Sequence, residues 1–169
     1  MQSTGTGAGD VTVVRADYGN VRHAAALLAL LDAYARDPWG GGAGLSVFAQ
    51  ENLVAALAAR PNAYSVLAFD VQQPVGLVNC LEGFSTFACR PLVNVHDVVV
   101  AEGHRGRRIG ERMLALAEDL ARQRGACKLT LEVLSGNHGA NRLYTRFGFS
   151  QYQLGAALGT ACFLQKWLD

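Results

Sequence analysis

A short segment rich in arginine and glycine follows a β-branched stretch in the middle of the chain. Residues 105–110 read Arg-Gly-Arg-Arg-Ile-Gly, and they stand between the β-branched stretch Val95–Val100 and a helical pattern. A strand, a glycine-containing loop and a helix start in this order form an anion site, because the first N–H groups of a helix lack intrahelical partners and the helix dipole adds positive charge. Residues 105–112 contain four arginines and one glutamate. The segment is therefore expected to bind a pyrophosphate.

Other classes of basic or phosphate-binding segment fit these residues less well. The segment lacks the Gly-Lys-Ser/Thr ending of an ATP- or GTP-binding loop, and it lacks the three glycines of a dinucleotide-binding βαβ unit. No aromatic platform flanks the arginines, which argues against RNA binding. On these six residues alone, a solvated basic helix start stays open as the alternative.

Two motifs in the second half of the chain resemble those of the GNAT family of N-acetyltransferases. The run 95–100, Val-His-Asp-Val-Val-Val, with the loop 105–110 is similar to that family's acetyl-CoA signature, Arg/Gln-x-x-Gly-x-Gly/Ala after an extended strand. The second motif is Asn137-x-x-Ala140-x-x-x-Tyr144, followed by Phe147-Gly148-Phe149. It is similar to the family's asparagine before a short helix that carries a tyrosine and ends at Gly-Phe. The two motifs occur in the family's order, separated by a helix and a strand.

The resemblance implies a mixed α/β fold and a bound co-substrate, acetyl-CoA. The expected fold has a central mixed sheet of six to seven strands, helices on both faces and splayed parallel strands in the second half. The pantetheine arm would lie between those splayed strands and pair with the main chain as an added strand would. Arg108 stands where the family usually has its first glycine, so its side chain either points away from the phosphates or adds a charged partner. The implied cofactor-binding residues are Val98, Val99, Val100, Arg105, Gly106, Arg107, Arg108, Ile109, Gly110, Glu111, Asn137 and Ala140.

Acetyl transfer to an amine poses two proton problems. A lysine-like amine with a pKa of about 10.4 is neutral in roughly one molecule per thousand at pH 7, so the amine needs a proton acceptor. The departing thiolate gains from a nearby proton donor. By the resemblance, Tyr144 would donate to the sulfur and His96 would act as the base, at a position where related diamine and thialysine acetyltransferases carry an acidic residue. Asp97 and Asp37 are the candidate substrate-binding carboxylates.

Each of these side chains also has a structural interpretation. Tyr144 fits a core tyrosine on an amphipathic helix, His96 a hydrogen-bonded strand histidine, and Asp97 a carboxylate that caps nearby backbone. Asn137 fits a helix N-cap. Because adjacent strand residues face opposite sides unless a bulge intervenes, only one of His96 and Asp97 is expected to face the acceptor.

The elements that position these residues are predicted from hydrophobic periodicity and from Gly and Pro breakers. A hairpin turn is expected at Gln-Gln-Pro, residues 72–74. The tail 1–10 is expected to be flexible and 11–169 to form one acetyltransferase domain. Strands are expected at Val11–Arg15, Tyr64–Asp70, Pro74–Phe84, Val95–Val100, Leu129–Leu134 and Thr160–Trp167. Helices are expected at His23–Arg36, Ser46–Arg60, from the arginine-rich loop to Gly125, and at Gly139–Phe147.

Composition limits the classes of function. The chain has 169 residues, of which 50% are hydrophobic and 17% charged, so it can bury a core and is not disordered as a whole. A net charge of +1 argues against a chain-wide nucleic-acid or membrane-surface role. The four cysteines, at 80, 89, 127 and 162, have neither CxxC nor short Cys–His spacing, so neither a metal site nor a disulfide framework is expected. The lack of targeting features predicts a cytoplasmic protein.

Together with the family resemblance, these patterns predict an N-acetyltransferase that moves the acetyl group of acetyl-CoA directly to a primary amine in a ternary complex. The expected acceptor is small, of the polyamine or amino-acid side-chain type, and neither nucleic acid nor membrane is an expected partner. A homodimer is expected by resemblance only. The alternative, favoured by the departures at Arg108 and His96, is a regulatory module that binds acyl-CoA with little or no turnover.

Overall fold

The structure, a computed structural model, describes residues 11–155, 157 and 159–168. These residues divide into two compact units, with the boundary between Leu131 and Glu132. The first unit contains a sheet and three α-helices. The second contains one α-helix, and its described residues after that helix form no further α-helix or strand.

The first unit is built on one mixed sheet. Its strands are β1 (Val11–Arg15), β2 (Ala63–Asp70), β3 (Gln73–Ser85), β4 (Arg90–Val100) and β5 (Leu129–Thr130). They lie in the order β1-β2-β3-β4-β5, antiparallel up to β4, with β4 and β5 parallel. The helices are α1 (Val21–Arg36), α2 (Val47–Ala58) and α3 (Ile109–Gln123), with short 3-10 turns at Pro38–Gly40 and Glu102–His104.

Helices cover both faces of this sheet. On β2, Leu67 and Phe69 belong to an apolar cluster with Leu27 and Leu30 of α1. The residues that alternate with these along β2 face α3. Tyr64 shows this, because its hydroxyl donates to the Ala117 carbonyl of α3 at 2.8 Å. The predicted α/β class with two helical layers is therefore confirmed.

Local signals set the helix boundaries. The side chain of Asn20 accepts from the N–H groups of Arg22 and His23, which starts α1 two residues earlier than predicted, and Asp37 before Pro38 ends it. Helix α3 buries Met113, Leu114, Ala117 and Ala121 along one stripe. Gly125, at φ 74, follows its end as the periodicity predicts.

The predicted strand count is wrong for the described residues, which form five strands rather than six or seven. Thr160–Trp167, predicted as a strand, has no regular structure. Phe163 and Leu164 in it are 73% and 86% exposed, so the run has neither the burial nor the pairing that a strand requires. The strand predicted at Leu129–Leu134 ends at Thr130, whereas β4 starts at Arg90, five residues before its predicted start.

The turn between β2 and β3 holds a strained residue. Asp70 pairs with Gln73, so Val71 and Gln72 form a two-residue turn, earlier in the chain than the predicted Gln-Gln-Pro turn. Val71 has φ 56, a left-handed conformation that is rare for a β-branched side chain, and its side chain is 74% exposed.

We expect Val71→Gly to stabilise the fold by about 1 kcal/mol, because the left-handed conformation costs a side-chain-bearing residue roughly 1–2 kcal/mol and glycine little. Urea unfolding followed by circular dichroism measures the change. Gln72→Gly is the matched control, since Gln72 lacks a positive φ and glycine there only adds freedom to the unfolded chain. Equal effects of the two substitutions would contradict the assignment of strain to Val71.

Candidate active site

The loop between β4 and α3 presents unpaired backbone donors. Gly106 and Arg108 have left-handed φ values of 79 and 57, and α3 begins directly after them. Within the described residues, the backbone N–H groups of Gly106, Arg108, Ile109 and Gly110 donate to no protein acceptor. A Cβ placed on Gly106 would meet no atom within 4 Å, so the loop is open on that side. Four unpaired donors at an open helix start fit a diphosphate group.

The side chains of this loop are mostly occupied by the protein itself. Arg105 donates to the Val100 carbonyl at 3.2 Å and to Asp37 at 3.3 Å. Arg107 donates to Asp70 at 2.9 Å, and Arg112 donates to the Val11 carbonyl at 2.6 Å. These three guanidinium groups tie the loop and the start of α3 to the rest of the first unit.

Arg108 is different. Its side chain is exposed and has no partner among the described residues, so it supplies the loop's unpaired positive charge. Its backbone is left-handed, a conformation that glycine adopts without steric cost. This explains why the family that the sequence resembles has glycine at the position of Arg108.

The edge of β4 is open next to the loop. The parallel ladder of β4 and β5 contains two pairs, Val93 with Leu129 and Asn94 with Thr130. Beyond Asn94, the segment Val95–Val100 pairs with β3 on one side and, within the described residues, with no strand on the other. Its backbone can therefore pair with an extended ligand on that side.

A β-bulge interrupts β4 at His96. Val95 pairs with Cys80 and Asp97 with Asn79, the residue next to Cys80, which leaves His96 as the extra residue. The His96 ring lies 3.3 Å from the side chain of Asn94. Asn94 and Asp97 oppose Leu81 and Asn79, which share one face of β3.

The bulge has a direct consequence for the candidate catalytic pair. It interrupts the alternation of side chains along β4, which is the condition under which His96 and Asp97 could both face one side of the strand. Whether one or both of them face the acceptor stays a prediction, because the sequence of one strand does not contain the register of its pairing.

Asp97 is a half-buried carboxylate whose only partner among the described residues is the amide of Asn79, which donates to Oδ2 at 2.9 Å. No lysine, arginine or histidine forms an ion pair with it in the part of the chain that the structure describes. The pKa of Tyr34 on α1 is raised by burial and by the negative charges of Asp97 and Asp37. The carboxylates of Asp97 and Asp37 therefore both act on the Tyr34 hydroxyl.

Asp37, the second predicted carboxylate, is already engaged. Its Oδ1 accepts from the backbone N–H of Trp39 at 2.9 Å, and its Oδ2 accepts from Arg105 at 3.3 Å. Both oxygens stabilise the turn at Pro38–Gly40 and its link to the arginine-rich loop.

The second unit contains Asn137, Ala140 and Tyr144, on and before helix α4 (His138–Phe147). The Asn137 side chain accepts from the Ala140 N–H at 3.1 Å, so its N-cap role is present. Tyr144 is half-buried and contacts Phe149 edge to face, with ring centroids 5.9 Å apart. Gly148, at φ 103, ends the helix.

The cysteines form no site in the described residues. All four are free, and no group of three or more His, Cys, Asp or Glu side chains there can hold a metal ion. Burial raises the pKa of the Cys80 thiol to about 12, which keeps it neutral and unreactive. Among the described helices, none has the length and apolar character needed to cross a membrane.

The sequence analysis missed two residues next to the site, Ser65 and Asn79. Both are buried and polar, within the otherwise apolar runs of β2 and β3. A polar residue inside an apolar strand run was the available signal.

Comparison with known protein families identifies the family of this chain. Residues 24–149 match the sequence profile of the acetyltransferase (GNAT) family. The chain belongs to this family, as its two motifs predicted.

Two curated relatives match the chain in part. It is 41% identical over 92 residues to streptothricin acetyltransferase of Streptomyces lavendulae, covering 52% of this chain and 49% of that protein. It is 32% identical over 91 residues to aminoalkylphosphonate N-acetyltransferase of Salmonella typhimurium, covering 54% and 59%. The match thus spans about half the length of these relatives.

Solved structures share the fold. A probable acetyltransferase superposes with a TM-score of 0.74 at 21% identity, over 94% of this chain and 99% of that one. An aminoglycoside acetyltransferase from an uncultured soil metagenomic sample superposes with a TM-score of 0.72 at 15% identity, over 92% and 97%. At these identities the similarity establishes the fold alone.

Proposed function

We propose that this chain is an acetyl-CoA-dependent N-acetyltransferase that acts directly on a primary amine of a small, cationic acceptor in a ternary complex. The observation that carries the proposal is the pairing of two features in the first unit. Unpaired N–H donors lie at the start of α3, and the half-buried carboxylate of Asp97 has no cationic partner among the described residues. The first feature favours a diphosphate and the second favours an ammonium group.

The donor side would be held mainly by backbone. The N–H groups of Gly106, Arg108, Ile109 and Gly110 would bind the diphosphate of acetyl-CoA, and the open edge at Val98–Val100 would pair with its pantetheine amides. Bound acetyl-CoA supplies an activated thioester. The side chains of Arg105 and Arg107 would act indirectly, by holding the loop through Asp37 and Asp70.

The acceptor side would be held by Asp97, with His96 as the base. The Asn94 amide nitrogen lies 3.4 Å from the Thr130 hydroxyl, so its oxygen faces His96 Nδ1 at 3.3 Å. Nδ1 then carries the proton, and Nε2 is left free to accept one from the attacking amine. Tyr144, placed by its motif, would donate to the departing sulfur, since a phenol is a neutral donor at pH 7.

The names of the relatives agree with a small amine acceptor. One relative is named for streptothricin and the other for aminoalkylphosphonates. For this chain, the half-buried Asp97 carboxylate, which has no cationic partner among the described residues, supports an acceptor that arrives as an ammonium ion.

The test is release of free thiol from acetyl-CoA in the presence of candidate acceptors. Polyamines and lysine-type amines form the amine panel, and neutral alcohols are the control. We expect release that depends on one class of amine. Binding of acetyl-CoA without amine-dependent release would support the regulatory module instead. Calorimetry that records no heat with acetyl-CoA at millimolar concentration would remove both functions.

Substitutions at Arg108 separate its charge from its backbone strain. We expect Arg108→Gly and Arg108→Ala each to weaken acetyl-CoA binding about three- to tenfold, because both remove the free guanidinium. Only Arg108→Gly should also stabilise the fold, by about 1 kcal/mol, because alanine retains the left-handed strain. Titration calorimetry and urea unfolding measure the two effects. Unchanged binding in both variants would show that the side chain points away from the phosphates.

We further propose that the protein is cytoplasmic and forms a homodimer. The dimer is proposed by family resemblance only. Sedimentation analysis of the purified chain tests the dimer.

A further inference from the structure

Ser65 and Asn79 are the buried polar side chains of the described residues, 0% and 7% exposed. They are neighbours across the sheet, because Ser65 of β2 pairs with Asn79 of β3, and Asn79 pairs with Asp97 of β4. One row across three strands is therefore polar and ends at the candidate acceptor-binding carboxylate. The next row on the same face, Leu67, Leu77 and Val99, is apolar.

Hydrogen bonds join this row into one chain. The Asn79 amide lies 2.9 Å from Asp97 Oδ2, its other end lies 2.6 Å from Ser65 Oγ, and Ser65 Oγ lies 2.9 Å from the Tyr18 hydroxyl. A carboxylate only accepts, so Asn79 must turn its NH₂ group to Asp97 and its oxygen to Ser65. Ser65 then donates to Asn79, which leaves Tyr18 as the donor to Ser65.

Every donor in this chain thus points toward Asp97. Burial raises the pKa of Tyr18, which keeps its hydroxyl protonated as the first donor. Hydrogen bonds that all point one way polarise one another, so the bond to the carboxylate is strengthened together with the others.

Apolar residues at the positions of Ser65 and Asn79 would avoid the cost of burying polar groups. The adjacent apolar row shows that such residues fit on this face of the sheet. The polar row is instead maintained up to Asp97, whose Oδ1 has no partner among the described residues. Holding Oδ2 restricts the rotation of the carboxyl group and leaves Oδ1 available to a ligand.

We propose that Asn79 is a positioning residue for the acceptor amine: its amide, oriented by Ser65 and Tyr18, fixes the Asp97 carboxylate in the orientation that receives the ammonium group. The inference rests on the proposed function, since it assigns Asp97 to the acceptor. Asn79 acts through Asp97 and does not itself contact the reacting atoms.

Steady-state kinetics separate this role from a structural one. We expect Asn79→Leu, which has similar volume and no donor, to raise KM for the amine about tenfold while KM for acetyl-CoA stays within twofold. Ser65→Ala should give a smaller rise and Tyr18→Phe the smallest. Leu77→Val, in the adjacent row of the same strand, is the matched control and should leave both KM values unchanged. An equal rise in both KM values, or the same effect from Leu77→Val, would overturn the proposal.

A second measurement needs neither turnover nor a stable Asn79→Leu variant. In ¹H–¹⁵N spectra of the whole protein, the side-chain NH₂ resonance of Asn79 should move in Asp97→Ala. It should also move when the best amine of the panel, or 1,4-diaminobutane if none is acetylated, is added to the wild type. A response to the amine without any turnover would retain the positioning role and reject the enzyme. Turnover with an Asn79 resonance that ignores both changes would reject the positioning role and retain the enzyme.

Discussion

The Asp97→Asn variant is expected to lose at least about 30-fold in kcat/KM for the amine. Asp97 is half-buried, and its only partner among the described residues is the Asn79 amide, so the substitution removes the charge offered to an ammonium group. Removing one member of a buried, hydrogen-bonded charge pair costs about 2–5 kcal/mol, which corresponds to factors of roughly 30 to several thousand. Because asparagine has nearly the same size, the fold should be retained.

The kinetic pattern identifies the role. If Asp97 binds the acceptor, the loss appears mainly in KM for the amine, and the calorimetric affinity for acetyl-CoA is unchanged. Asp119→Asn is a suitable control, because Asp119 is an exposed carboxylate on α3 whose partner is Arg122. Equal kcat/KM values for Asp97→Asn and the wild type would remove Asp97 from the acceptor site, together with the positioning role of Asn79.

Tyr144→Phe is expected to lower kcat by about 10²–10⁴, the range in which a positioned general acid contributes to catalysis. The substitution removes only the hydroxyl, so the edge-to-face contact with Phe149 is retained. Affinity for acetyl-CoA should stay within a factor of two, because a donor to the departing sulfur acts in the transition state. Single-turnover thiol release measures the chemical step directly.

Tyr152→Phe in the same unit provides the control, since Tyr152 is 55% exposed and lies outside both motifs. A Tyr144→Phe variant with wild-type turnover would show that the sulfur leaves without help from this residue. Tyr144 would then be the core tyrosine of the structural interpretation.

The local structure of the arginine-rich loop could be predicted from the sequence, whereas the bulge in β4 could not, for physical reasons. The loop at Gly106 contains glycine and arginine and lies between a β-branched strand and a strongly amphipathic helix. These signals are local in the sequence, so they can be recognised without knowledge of the rest of the fold. The bulge at His96 is different, because it exists only through the register of β4 against β3. Asn79 was missed for the same reason, since its significance comes from the two residues opposite it.

The wrong strand at Thr160–Trp167 shows the limit of apolar runs as a signal. Residues 161–164 and 167–168 are apolar in blocks, so both faces of a strand would need to be buried there. A run of this kind becomes a strand only where a neighbour offers its backbone, and no property of the run itself supplies that neighbour.

Arg105 joins two regions that are expected to handle different molecules. Its guanidinium connects the carbonyl at the end of β4 to Asp37, which also caps the turn at Pro38–Gly40. Because one guanidinium makes both contacts, a ligand that displaced it from Asp37 would also change its contact with the end of β4. This linkage is partly exposed, at 58% for Arg105 and 24% for Asp37, and it should therefore weaken as salt concentration rises.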